Sequence, residues 1–208
     1  MKVKRISMLV ALLLFIAIPA TSFAETSNLK ISAEVSNNNL RTEMVSIDNT
    51  LYRYTICSSP SSSNSLITVL NTSTGKADIV IIKDDTVYLN GRVIGAIKDD
   101  GIVSEDTVPK AAGSSWVKIG KNHRRITWAE GTSAAVVAAI FAGAIGTPVA
   151  GVISFGVISV IAAQATGGTI YYTVYRRKVG KLINYKWVWS FRASTGDRYG
   201  PYTSYSTV

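Results

Sequence analysis

Two patterns of apolar placement alternate along the chain and mark its organisation. Between Thr42 and Ile97 the apolar residues come in short runs rich in β-branched and aromatic types. These are "LYRYTIC" (51–57), "LITVL" (66–70), "ADIVIIK" (77–83), "TVYL" (86–89) and "RVIGAI" (92–97). Turn-forming clusters separate them: "SSPSSSNS" (58–65), "NTSTGK" (71–76), the acidic corner Asp84–Asp85, and Asn90–Gly91, the strongest short hairpin signal. The pattern predicts an antiparallel meander of four or five strands. From 131 to 175 the alternation gives way to a run without Asp, Glu, Lys, Arg or His. Ser133–Ile145 reads as a helix with Thr132 or Ser133 as its N-cap and Gly146 at its end. Thr147 can cap a second helix with Pro148 in its first turn, running to about Ala165 and stopping at Gly167–Gly168. At 1.5 Å per residue the arms are about 20 and 27 Å long, so only the second approaches a hydrocarbon core of ~30 Å.

Period-two alternation returns after 168. "TIYYTVYRRK" (169–178) and "INYKWVWSFR" (183–192) read as two strands joined through "VGKL". Tyr185, Trp187, Trp189 and Phe191 fall on one face of the second. Before the helical run, "WVKIGKNHRRITWAEGTS" (116–133) predicts two short strands around a basic turn at 121–125. The closing "STGDRYGPYTSYSTV" carries two turns. The fold class expected is α+β: an N-terminal antiparallel β-meander, then antiparallel strands enclosing a Gly/Ala-rich two-helix hairpin at 132–167.

The N-terminus adds an address. Lys2, Lys4 and Arg5 precede the apolar "ISMLVALLLFIAI"; Pro19 breaks that run, and Ser22 and Ala24 suit a signal peptidase. Residues 1–24 therefore read as a cleavable secretory signal, and the protein as secreted and extracellular. An uncleaved anchor is the poorer reading, because the run is shorter than the ~20 residues of a span.

Charge then divides what remains. Residues 25–112 hold eight Lys/Arg and eleven Asp/Glu, whereas 113–208 hold eleven and two. The chain as a whole is +9. This asymmetry suggests an acidic, β-rich pro-region or shielding domain (25–97), a linker (98–115) and a basic domain (116–208) aimed at an anionic partner. Anionic bacterial membrane or cell-wall polymer fits. Nucleic acid does not, since no recognition motif accompanies the basic residues.

Small residues recur every four positions in the uncharged run, as in Ala134, Ala138, Ala142 and Gly146, and in Gly143, Thr147 and Gly151. Such rows let helices approach closely in lipid or self-associate. Ala138, Ala142, Gly143, Gly146, Pro148, Gly151, Phe155 and Gly156 are the candidate membrane-inserting residues. Lys118, Lys121, Arg124, Arg125, Arg176, Arg177, Lys178 and Lys181 flank the run as candidates for an anionic surface. Tyr171, Tyr172, Tyr175, Trp187 and Trp189 are candidate interfacial aromatics, with sheet core as the alternative. The hairpin itself has an alternative too, since a helix apolar all round is buried either in a membrane or in its own domain.

"ITWAEGTSAAVVAAI", the Gly/Ala run, "GGTIYYTVYRR", "YKWVWSF" and "TGDRYGPY" together resemble a group of secreted proteins from Gram-positive bacilli. That group includes the large, unmodified geobacillin-type bacteriocins. The resemblance covers about 116–202. It implies an exported antibacterial protein and carries over no active residues.

Enzymatic signatures are absent from the sequence, which has no HExxH, no metal-spaced Cys/His set, no Gly-rich phosphate loop and no GxSxG. No catalytic residue, cofactor or metal site is assigned, and an enzyme is not expected. The single cysteine, Cys57, excludes an intramolecular disulfide and reads as a buried apolar side chain, with a reactive or intermolecularly paired thiol as the alternative. The single histidine, His123, reads as a solvated or strand-edge residue.

The expectation is a membrane-active bacteriocin-like protein. The alternative is a non-toxic cell-surface or matrix interaction protein with the hairpin as its core.

Overall fold

A computed structural model describes residues 40–58, 64–103, 115–153 and 155–207. The secretory signal (1–24), the polar start of the acidic region (25–39) and residues 104–114 of the linker lie outside the described residues.

Ten strands follow one another in chain order: β1 (Leu40–Ile47), β2 (Thr50–Ser58), β3 (Ser65–Asn71), β4 (Ala77–Lys83), β5 (Thr86–Leu89) and β6 (Arg92–Val103), then β7 (Val117–Thr127), β8 (Gly167–Val179), β9 (Leu182–Ala193) and β10 (Arg198–Thr207). Each pairs antiparallel with its sequence neighbours in a single sheet ordered β1 to β10. Three of the hairpins close on two residues with positive φ: Asp48–Asn49, Asp84–Asp85 and Asn90–Gly91. Both central residues of a type I′ turn need that conformation, and Asn, Asp and Gly tolerate it best. The acidic corner is thus a turn device.

The uncharged run forms α1 (Ala134–Ile145), α2 (Val149–Ile153) and α3 (Ile158–Gln164). Ser133 caps α1 by accepting the Val136 N–H, and Gly146 ends it in the left-handed conformation, its N–H reaching Ala142 O. Every residue of α1 except Ala134 and Gly143 is buried. The expected α+β fold with a two-helix hairpin is therefore corrected. Among the described residues the molecule is one ten-stranded antiparallel sheet with three short helices. The second arm fails as a continuous helix because Gly156, at φ 66°, stands between α2 and α3. The small residues admit strand side chains. A Cβ on Gly143 would lie 2.3 Å from Ile82 Cδ1, and one on Gly151 would lie 2.4 Å from Ser204 Cβ.

The basic turn expected at 121–125 is also corrected. Those residues sit inside the continuous strand β7. Pairing of β6 with β7, Ile97 opposite Ile126, joins the acidic and basic segments in one sheet. A single hydrophobic cluster takes Ile47, Tyr54, Ile67 and Val80 from the first and Phe141, Ile170, Trp189 and Phe191 from the second. Phe141 is its centre, with ring centroids 4.9 Å from Phe191, 6.0 Å from Trp128 and 6.1 Å from Trp189. Tyr54 reaches in from β2 to donate to Ala135 O at 3.1 Å. Burial, then Tyr52 and Glu43 nearby, push its phenol well above the ordinary value.

The two outermost strands of the sheet meet the same helical segment. From β1, Arg41 donates to Thr147 O (3.2 Å) and Glu43 accepts the Ala150 N–H (2.9 Å). From β10, the Ser204 hydroxyl lies 3.0 Å from that of Thr147. The sheet is curled around its helices, and 147–151 closes the seam.

Candidate membrane-surface interface

Strand alternation sorts the basic half onto two faces. On β8, Ile170, Tyr172 and Val174 look inward, opposite Phe191, Trp189 and Trp187 of β9. The odd-numbered residues Tyr171, Thr173, Tyr175 and Arg177 look outward. The hairpin of β8 and β9 runs to the pair Val179–Leu182. Among the described residues, β7 pairs with it only as far as Arg176, and β10 as far as Asn184. At ~3.3 Å per residue the β8 tip extends about 10 Å past its β7 neighbour. Val179 and Leu182 are 46% and 54% exposed there, each directly following a lysine, Lys178 and Lys181. The left-handed Gly180 makes the turn.

Behind the tip, the outer face carries an aromatic and cationic cluster. Arg177 Cζ stands 4.4 Å from the Trp116 ring centroid. Lys186 Nζ is 5.1 Å from that ring and 4.2 Å from Tyr175. Trp116 also meets Tyr205 of β10 at 6.0 Å. Cations over ring faces are held electrostatically while remaining near water. Arg177 Nε is buried without a hydrogen-bond partner, so the stacking on Trp116 covers part of this guanidinium.

The sequence candidates divide accordingly. Arg176, Arg177, Lys178, Lys181 and Tyr175 come together at or near the tip, and Lys118 pairs with Tyr175 in the β7–β8 register. Lys121 is exposed further along β7. Arg124 points inward, donating to Ala144 O at 2.7 Å and to the Asp99 carboxylate. It therefore caps the carbonyl end of α1, where a cation is favoured. With Arg41 and Tyr172 it walls a cleft of ≈ 340 Å³, but both guanidiniums there already hold carboxylates and carbonyls. Tyr172 is half-buried, and burial raises its phenol against the opposing pull of Arg124. Arg125 lies outward, 3.6 Å from Asp100. Tyr171 is outward and stacked with His123 at 5.7 Å. Trp187 and Trp189 are core, 7% and 1% exposed.

Of the insertion candidates, Ala138 and Ala142 are buried in α1; Gly143, Pro148 and Gly151 are half-buried; Gly146 and Gly156 are exposed turn residues. Phe155 is 37% exposed and stacks on Tyr202 at 4.5 Å. Among the described residues no helix is long and apolar enough to cross a membrane, and no group of His, Cys, Asp or Glu is placed to hold a metal. Sequence reasoning missed Trp116, Val179, Leu182, Lys186 and Tyr205. Extending the period-two alternation through "VGKL" would have put Val179 and Leu182 on the tip.

Comparison with protein-family models, curated proteins and solved structures finds no match. The bacteriocin resemblance therefore rests on sequence texture alone.

Proposed function

We propose that the protein is exported and acts at anionic bacterial membranes in a bacteriocin-like role, docking through the tip of the β8–β9 hairpin. The observation that carries this reading is the exposed pair Val179 and Leu182, alternating along the turn with Lys178 and Lys181, at a hairpin end that outruns its neighbours among the described residues. An apolar pair ringed by cations matches the boundary between acyl chains and phosphates. Arg177, Lys178, Lys181 and Lys186 each add about 1 kcal/mol near such a surface. Trp116 and Tyr205 suit the interfacial layer. In this reading the helical run is the core that holds the docking strands in place.

The test exposes the purified protein to anionic and zwitterionic vesicles and to live bacilli. Sedimentation with anionic vesicles alone, dye release and killing are expected. No binding to anionic vesicles would overturn the reading. A second reading, a non-toxic cell-surface or matrix interaction protein, is favoured by the burial of α1. Binding to anionic vesicles without dye release or killing would select it.

A further inference from the structure

A second feature lies on the same outer face, away from the tip. Arg125 of β7, Thr169 of β8 and Arg192 of β9 stand side by side in register. With strands ~4.8 Å apart, the two arginine Cα atoms are about 10 Å from each other. The next outward row along the strands is His123, Tyr171 and Ser190, with His123 and Tyr171 stacked nearly flat (interplanar angle 23°). A groove of ≈ 540 Å³ opens beside this row, at the start of β8. Thr166, Thr169 and Ser194, all hydroxyl-bearing, line it. Asp100 also borders it, but its 3.6 Å approach to Arg125 is longer than a hydrogen bond, and Arg125 is 65% exposed.

We propose that this groove binds a phosphate-bearing polyol polymer, the chemistry of an anionic cell-wall chain. The two arginines are spaced to meet separate phosphates, guanidinium forks suit phosphate oxygens, and the hydroxyls suit polyol hydroxyls. A bilayer fits less well, because the groove has no exposed aliphatic pair like the one at the tip, and the one exposed large apolar residue among its described lining is Tyr171. Single-stranded nucleic acid fits less well too, because the Tyr171 ring is already stacked by His123. The proposal stands on different residues from the docking tip and does not depend on it.

The test measures binding of the purified protein to synthetic poly(glycerol phosphate), with dextran as the neutral polymer and anionic vesicles as the lipid arm. Salt-sensitive binding to poly(glycerol phosphate) but not dextran is expected. Arg125→Gln with Arg192→Gln should weaken it at least about tenfold, the loss of one charge-assisted contact, with an unchanged melting temperature. Val179→Asp with Leu182→Asp should leave polymer binding intact while lowering vesicle binding. Absence of polymer binding at low salt, equal binding of dextran, or an unchanged affinity in the arginine double variant would each overturn the proposal. So would vesicle binding that is lost with the two arginines while polymer binding is not.

Discussion

The hydroxyl pair Thr147–Ser204 offers a direct test of how the curled sheet is closed. The two residues are 0% and 3% exposed and their oxygens are 3.0 Å apart, across 57 residues of chain. Thr147→Val keeps the shape but strands the Ser204 hydroxyl in a dry site, at a cost of about 1–3 kcal/mol. Ser204→Ala strands the Thr147 hydroxyl and costs about the same. The double variant has no stranded group, so its loss should resemble that of one single variant. The coupling in the double-mutant cycle is then about 1 kcal/mol or more. Urea denaturation measures it, and each single change should lower the melting temperature by about 2–4 °C per kcal/mol. Strict additivity would refute the seam, because it would mean that the two hydroxyls do not meet. Losses below about 0.5 kcal/mol in both singles would mean that the site is wet.

Four further outcomes follow from the same geometry. Lys178→Glu with Lys181→Glu should cut partition onto anionic vesicles by at least about 2 kcal/mol, roughly thirtyfold; sedimentation unaffected by the reversal would remove the tip from docking. Phe141→Ala should cost about 3–5 kcal/mol in chemical denaturation, since three aromatic neighbours lose their partner; a loss under 1 kcal/mol would contradict a packed centre. Gly95→Ala should cost about 1–3 kcal/mol or more, because its Cβ would sit 1.9 Å from Thr127 O, a backbone atom; near-wild-type stability would show that β6 and the end of β7 do not approach so closely. Tyr54 has its phenol raised in the fold from an ordinary 10.0, so its contribution is complete below pH 10 and is lost as pH rises above it, while the unfolded chain ionises first. Tyr54→Phe should flatten that alkaline limb in pH-dependent denaturation, and an unchanged slope would count against the burial of its hydroxyl.

The strands of the acidic half were readable because side-chain alternation and turn chemistry agree there, as at Val87 and Asn90–Gly91. β7 was misread because Arg124 looks inward, and a charge facing the core breaks the expected alternation. Only the fold shows that this charge is met by Ala144 O and Asp99. The four-residue spacing of Ala138, Ala142 and Gly146 cannot name a partner, and a Cβ on Gly146 would meet nothing within 4 Å. For Gly143 and Gly151 the partners are Ile82 and Ser204, on strands far away in sequence. The break in the second helical arm had a weak signal, a glycine at 156 among many others. The tip was half-legible: its charges were singled out, but its apolar pair was read as a connector.

The seam also sets an order of events. All ten strands pair with sequence neighbours, so each hairpin can form as soon as its second strand is available. Closure is different, because β1 and the turn after it reach 147–159 across 106 to 111 residues and the last contact waits for Ser204. A chain delivered N-terminus first therefore carries Thr147, α2 and Phe155 partly uncovered until its final strand arrives. Truncation before β10 should leave a form that binds hydrophobic dyes and aggregates, and a dye-silent, soluble truncated form would show that the cover is complete without it. The last ten-residue strand is thus a timer on how long α2 and Phe155 stay open to other chains.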